Sequence, residues 1–143
     1  MFKIITHPNI ILATPTSPVV NFDQNLKQLI SDMIDTMNNS GGVGLAANQI
    51  GISSSLFVCR LLLKNTTKAF INPEIIEKSD NMISIAEGCL SVPGQAACVP
   101  RHQHIKVNYV DEQNLSHTIE LSDLDAIIFQ HEFDHLLGKL IVD

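Results

Sequence analysis

The sequence predicts an α+β fold in which antiparallel or mixed strands pack around a central C-terminal helix, with a second, amphipathic helix near the N-terminus. Two stretches that begin near residues 23 and 122 place apolar residues at helical spacing, and short strand-like runs lie between them. The order is helix, strands, helix rather than a regular alternation of strand and helix. The 143 residues are enough for one domain, which we expect to span residues 1–143.

An extended segment followed by a helix is predicted at the N-terminus. Pro8, Pro15 and Pro18 favour extended backbone over residues 1–20. From about residue 23 the apolar residues follow the i, i+3, i+4, i+7 pattern of a helix that buries one face. They are Leu26, Leu29, Ile30, Met33, Ile34 and Met37. The run Asn-Asn-Ser-Gly-Gly at 38–42 should end this helix, because its residues accept positive φ.

Strands are predicted in the middle of the chain. Residues 56–59 and 69–71 are short apolar runs, of which the second should end at Asn72-Pro73. Apolar and polar residues alternate over 105–109, which predicts a half-buried strand. A polar turn should join that strand to a partner near 118–121.

The last helix is predicted to start at Ser122, with Asp125 three residues on as in a capping box, and to run to about Ile141. Its apolar residues cover most of the circumference, as in a buried helix. They are Leu124, Ile127, Ile128, Phe129, Phe133, Leu136, Leu137 and Leu140.

Composition and charge exclude several classes of protein. Nine Lys and Arg against fifteen Asp and Glu give a net charge of −6, which argues against a nucleic-acid partner. No apolar run approaches the roughly 18 residues of a membrane span, and His7-Pro8 interrupts any signal-peptide core, so a cytoplasmic protein without a membrane partner is expected. Three cysteines without a CxxC pair indicate neither a disulfide framework nor a four-cysteine zinc site.

The predicted last helix carries an H-E-x-x-H motif at His131, Glu132 and His135. Residues four apart share a helix face, so both imidazoles can bind one metal ion, and Glu132 can contact a water on that ion. The alternative is a pair of hydrogen-bonded core histidines. Burying two histidines and a glutamate on an otherwise apolar helix without partners would be costly, which favours the metal site.

The residues by themselves leave the third ligand open. The longer pattern H-E-x-x-H-x-x-G-x-x-H fails at Ile141, and no glutamate follows His135, so the ligand must come from upstream. The candidates are Cys59, Cys89, Cys98, Glu87, His102, His104 and His117. Cys89 is favoured because Gly88 beside it permits a close backbone approach. Packing is the favoured role for Cys59 and Cys98.

Three segments together resemble the peptide deformylase family. They are Gly-Val-Gly-Leu-Ala-Ala-Asn-Gln at 42–49, Glu-Gly-Cys-Leu-Ser at 87–91 and Gln-His-Glu-Phe-Asp-His-Leu at 130–136. They occur in the family's order, and weaker similarity at 7–9 and 99–101 extends over most of the chain. For the first segment alone, a helix C-cap leading into a strand is the alternative.

The resemblance implies a divalent ion held by Cys89, His131 and His135, with water at the open fourth position. Fe²⁺ is the native ion of the family, and Zn²⁺, Ni²⁺ or Co²⁺ are alternatives in a purified sample. Glu132 would be the general base. The Gln49 side-chain amide and the Leu90 N–H would stabilise the oxyanion.

The implied reaction is hydrolysis of the N-formyl group from the initiator methionine of nascent polypeptides, so the expected partners are N-formylmethionyl peptides. The candidates for an apolar methionine pocket are Val43, Ile85, Leu124, Ile127 and Ile128. Substrate backbone would pair as a strand with Val43-Gly44 and with the Gly88 region. Arg101 is expected either to pair with Glu87 beside Cys89 or to lie on the surface.

The sequence departs from the family at three points. Bacterial members commonly carry basic residues at the positions of Ala13 and Ala96. Many relatives continue beyond the position of Asp143 into a helix that docks on the ribosome, so a ribosome contact of that kind is not expected here. The compact form is consistent with a virus-encoded or minimal member of the family. A monomer is expected. The alternatives for function are a small metallopeptidase and a non-catalytic metal-binding protein.

Overall fold

The computed structural model describes residues 2–143. The helices are α1 (Gln24–Asn39) and α2 (Asp123–Leu136), and two short 3-10 helices span Ile10–Ala13 and Ala47–Ile50. The strands are β1 (Gly44–Ala46), β2 (Leu56–Leu61), β3 (Thr66–Lys78), β4 (Met82–Ile83), β5 (Ala86–Gly88), β6 (Ala96–Cys98), β7 (Arg101–His102), β8 (His104–Val110) and β9 (Ser116–Ser122).

The strands form one main sheet and two small ones, all antiparallel. The main sheet has the order β1-β2-β3-β8-β9, which leaves β1 at an edge, and the pairs β4-β7 and β5-β6 lie outside it. The predicted α+β fold is therefore confirmed, and the antiparallel pairing is the one realised. No helix within residues 2–143 is both long enough and apolar enough to cross a bilayer.

The N-terminal helix follows the prediction closely. Asp23 caps α1 by accepting a hydrogen bond from the Leu26 N–H at 3.0 Å, and Gly41 beyond the last turn has a φ of +73°. The segment before it is not extended throughout, because Ile10–Ala13 form a 3-10 turn. The Ile11 N–H at the start of this turn donates to the Asn9 side chain. A side-chain cap of this kind is a local contact that the proline spacing does not indicate.

The prediction that a strand ends at Asn72-Pro73 is wrong, since β3 continues to Lys78. The register between β3 and β8 shifts between Ile71 and Glu74, so a bulge accommodates the proline, which has no N–H to donate. Asn72 adopts a φ of +49°, and its side chain accepts from the Val19 N–H and donates to the Val19 carbonyl. These contacts tie the bulge to a distant segment of the chain.

The predicted boundaries of α2 need two corrections. The helix ends at Leu136 rather than near Ile141, because Gly138 has a φ of +81° and its N–H bonds back to the His135 carbonyl. At the other end Ser122 makes no cap, since its hydroxyl bonds to the His104 ring. The expected capping box is therefore absent.

Helix α2 lies against the main sheet, and this packing fixes the positions of its functional side chains. Phe129 packs edge-on against Phe57 and Phe70 with ring centroids 5.1 Å apart in both pairs. Cys59 is fully buried in the same cluster, as predicted for a packing residue. The opposite side of the helix carries His131 and His135.

Candidate metal centre

Three donor atoms converge where α2 faces the loop that follows β5. The Nε2 atoms of His131 and His135 lie 3.3 Å apart, and the Cys89 Sγ lies 3.4 Å from the His135 Nε2. All three atoms lie within 4.8 Å of one another. A tetrahedral ion bound at about 2.0–2.1 Å to nitrogen and about 2.3 Å to sulfur requires separations of about 3.3–3.6 Å. These residues therefore fit a four-coordinate cation with one position left for another ligand.

Apart from Glu87, the remaining candidates for the third ligand lie elsewhere. The rings of His102, His104 and His117 bond to the Ser79 carbonyl, the Ser122 hydroxyl and the Asp111 carboxylate respectively. Cys59 is in the core, where burial raises the pKa of its thiol well above the ordinary value. Cys98 is exposed on β6, so the prediction that it packs in the interior is wrong.

Glu87 supports the site. Its Oε1 lies 2.8 Å from the His131 Nδ1, and Arg101 donates to both of its carboxylate oxygens at 2.8 and 3.0 Å. Arg101 also bonds Asp134, and it is only 4% exposed, so its pairing with Glu87 is confirmed and the surface alternative is wrong. Burial would raise the pKa of Glu87, but the hydrogen bonds from His131 and Arg101 outweigh it and lower the pKa. An ionised Glu87 fixes the ring of His131.

The electrostatics of the two histidines differ. Burial, aided by the positive charges of His131 and Arg101, lowers the pKa of His135 to about 3, so its imidazole is neutral and offers a lone pair. Burial opposes a charge on His131 too, but hydrogen bonds with Cys89 and Glu87 and the charge of Glu132 raise its pKa to about 10. The surrounding groups therefore favour a charge on His131 and a neutral His135.

Glu132 lies beside the donor atoms in a nearly dry position. The residue is 4% exposed, and its Oε1 has no hydrogen-bond partner among residues 2–143. Burial raises the pKa of this carboxyl to about 7, against the opposing charges of His131 and Arg101. Strand β1 approaches so closely that a Cβ on Gly44 would lie 2.5 Å from the Glu132 Oε2. The glycine is required here because no larger side chain fits.

Gln49 is held on the other side of Cys89. Its Oε1 accepts from the Ala46 N–H at 2.9 Å, and its Nε2 donates to the Ser91 hydroxyl at 3.0 Å and lies 3.7 Å from the Cys89 Sγ. The sequence reasoning did not single out Ser91, although it lies in the Glu-Gly-Cys-Leu-Ser segment. Ser91 is fully buried and fixes the direction of the Gln49 amide.

An apolar cavity of about 650 Å³ opens in front of these groups. It brings together every residue predicted for substrate binding, namely Val43, Gly44, Ile85, Gly88, Leu124, Ile127 and Ile128. Gln49, Cys89, His131, Glu132 and Leu90 line it as well. Leu62 and Gln95 also line the cavity and were not among the predicted residues.

Known proteins resemble this chain over its whole length. A model of the polypeptide deformylase family matches residues 1–143. The peptide deformylase of Borreliella burgdorferi is 43% identical over 141 residues, which are 99% of this chain and 86% of the relative. The crystal structure of the Thermotoga maritima peptide deformylase has 43% identity and a TM-score of 0.97, covering 100% of this chain and 96% of that one. A Synechococcus elongatus peptide deformylase solved in complex with actinonin has 36% identity and a TM-score of 0.94 over 99% of this chain and 77% of that one.

Proposed function

Since the chain belongs to the peptide deformylase family, we propose that Cys89, His131 and His135 hold its divalent ion and that Glu132 is the general base. Family membership makes the protein a hydrolase that removes the N-formyl group from nascent peptides, with N-formylmethionyl peptides as substrates. It favours this reaction over that of a metallopeptidase or of a non-catalytic metal-binding protein. We further propose that residues 1–143 form one domain and that the enzyme acts as a cytoplasmic monomer.

A divalent cation bound at the three donors would polarise the formyl oxygen and lower the pKa of a water molecule. Glu132 would take a proton from the attacking water, whose oxygen forms the new bond to the formyl carbon. The C–N bond then breaks, and Glu132 delivers the proton to the leaving amine, so that formate and a free amino terminus result. The unpaired Oε1 supports this role, because it is free to accept the proton.

Gln49 and Leu90 are proposed to stabilise the negative charge that develops on the formyl oxygen. Removing one such donor typically costs about 3–4 kcal/mol in transition-state stability. Ala46 and Ser91 fix the orientation of the Gln49 amide, so little reorganisation is needed during the reaction. The Leu90 N–H would act from the residue next to Cys89.

The methionine side chain is proposed to enter the apolar part of the cavity formed by Leu124, Ile127 and Ile128. The peptide backbone would pair as a strand with Val43-Gly44, since β1 is at the edge of the main sheet. Gly88, on the facing small sheet, would contact the other side of the peptide, and Ile85 lies at the mouth of the cavity with 43% of its surface exposed.

The observation that carries the proposal is the match between the donor separations and tetrahedral coordination, beside an unpaired buried carboxylate oxygen. The test is formate release from formyl-Met-Ala by the wild-type enzyme and by Cys89→Ser, with metal content measured on both. We expect one ion per chain and formate release from the wild type, and loss of bound metal from the variant. Unchanged metal content in Cys89→Ser would exclude this ligand.

Fe²⁺ is the ion we propose for the native enzyme, following the family resemblance, although the same donors suit Zn²⁺. Ferrous iron beside a thiolate is sensitive to oxidation. Enzyme purified without oxygen should therefore lose activity on exposure to air, whereas a Zn²⁺-loaded sample should not. Full and stable activity after purification in air would contradict the assignment of iron.

A further inference from the structure

The two histidines of the metal centre are oriented by different contacts. The His131 Nδ1 bonds to Glu87, which Arg101 holds in turn. The His135 Nδ1 is buried and has no partner within residues 2–143. A metal-binding histidine is usually oriented by a hydrogen bond at its other nitrogen. The position of His135 must therefore depend on how the backbone at the end of α2 is held.

Asn48 makes the contact that holds this backbone from across the site. Its Nδ2 donates to the His135 carbonyl at 2.7 Å, and the two residues are 87 positions apart in the chain. The last carbonyls of a helix lack partners within the helix. The His135 carbonyl accepts from the Gly138 N–H, and among the described residues Asn48 is its one side-chain donor. Asn48 is fully buried, and its own Oδ1 has no partner among the described residues. The side chain thus bears a desolvation cost that its single bond to His135 must offset.

Asn48 also lies next to Gln49, in the 3-10 turn Ala47–Ile50. One hydrogen bond therefore links a proposed ligand to the turn that carries the proposed oxyanion donor. We propose that Asn48 is a positioning residue, which sets the distance between His135 and Gln49 and slows the loss of the metal ion. This inference rests on the proposed metal site and adds a residue to which neither the H-E-x-x-H motif nor the ligand set points.

The experiment uses Zn²⁺-loaded enzyme and the variants Asn48→Ala and Asn48→Leu. The leucine is close to asparagine in size, removes the donor without adding a charge and leaves no buried polar atom unpaired, so it decides the outcome if the alanine variant does not fold. We expect Zn²⁺ transfer to a colorimetric chelator to become about tenfold faster, the lower end of the effect of removing an outer contact of a metal ligand. The kcat for formyl-Met-Ala should fall with KM unchanged, because Asn48 does not line the cavity.

Thr16 provides the matched control. Its N–H and hydroxyl bond to the carbonyl of Leu136, one residue after His135 and away from Gln49. Thr16→Val removes the hydroxyl's bonds to the Leu136 carbonyl and to the Ser55 hydroxyl and keeps the shape, so it loosens the same helix end without touching the proposed link. This variant should release Zn²⁺ at the wild-type rate.

Thermal unfolding separates a positioning role from a merely structural one. Zn²⁺ raises the Tm by an amount that reflects its affinity for the folded protein. In the Asn48 variants this Zn²⁺-dependent rise should shrink, beyond any lowering of the Tm that the zinc-free and zinc-loaded forms share. Equal lowering of both Tm values, or Zn²⁺ release at the wild-type rate, would overturn the inference alone. A wild-type chain that takes up no Zn²⁺ would overturn the proposed metal site and the inference together.

Discussion

Replacing Gly44 with alanine should inactivate the enzyme while its metal content stays intact. The new Cβ would lie 2.5 Å from the Glu132 Oε2, 2.6 Å from its Cδ and 2.8 Å from its Cγ, whereas ordinary contacts begin at 3.4 Å. The carboxylate must therefore move by roughly 0.9 Å, since β1 is fixed by its pairing with β2 and α2 is fixed in the core. A misplacement of about 1 Å at a reacting group costs about 100-fold in rate.

The assay is formate release from formyl-Met-Ala, with metal content and urea unfolding measured on the same samples. We expect kcat to fall by about 100-fold and stability by about 1–3 kcal/mol, the usual cost of overpacking. Gly42→Ala is the matched control, because the one close contact of its Cβ would be the terminal Cδ1 of Leu90 at 2.9 Å, which can turn aside, and its other neighbours would lie at an ordinary 3.5 Å. Its activity should remain near that of the wild type.

A double variant shows whether the loss acts through Glu132. Because Glu132→Gln already removes the proposed base, adding Gly44→Ala should cause little further loss, in contrast to its large effect in the wild type. A metal-loaded Gly44→Ala enzyme with wild-type kcat would refute the reasoning. So would a loss of equal size in both backgrounds.

Three further predictions concern the same site. Glu132→Gln should retain the metal and lose formate release, with metal content and formate measured on the same sample. Activity equal to that of the wild type would reject Glu132 as the general base. Arg101→Leu should lower the free energy of unfolding in urea by about 3–5 kcal/mol, because it strands a buried carboxylate, and a change well below that range would contradict the buried network. Thiol labelling of metal-loaded protein should modify the exposed Cys98 but not the buried Cys59, whose raised pKa keeps it protonated. Removal of the metal by a chelator should make Cys89 reactive. Labelling of Cys89 before chelation would contradict its role as a ligand.

Much of the fold could be predicted because its signals are local. Helix α1 was predicted to within about a residue at each end, since its apolar period, its cap and its terminating glycines all lie within the segment. The alternation of apolar and polar residues over 105–109 predicted a strand equally clearly. These residues lie within β8, and Ile105, Val107 and Tyr109 are buried. The predicted end of the strand at Asn72-Pro73 was wrong, because contacts with Val19 support a bulge there and the strand continues beyond the proline.

For the site, the spacing of His131 and His135 by itself determined that two imidazoles share one helix face, because the geometry of a helix fixes residues four apart. The residues alone left open which side chain is the third ligand. Cys89 is 46 positions from His135 in the chain, and only folding brings its Sγ to 3.4 Å from the His135 Nε2. Folding likewise brings together the contacts that orient the proposed ligands and Gln49. Arg101 on Glu87, Ser91 on Gln49 and Asn48 on the His135 carbonyl join distant segments, and no periodicity in the sequence encodes such contacts. The motif thus determined which chemical groups are present. Packing between segments that are distant in the chain determined how those groups are positioned relative to one another.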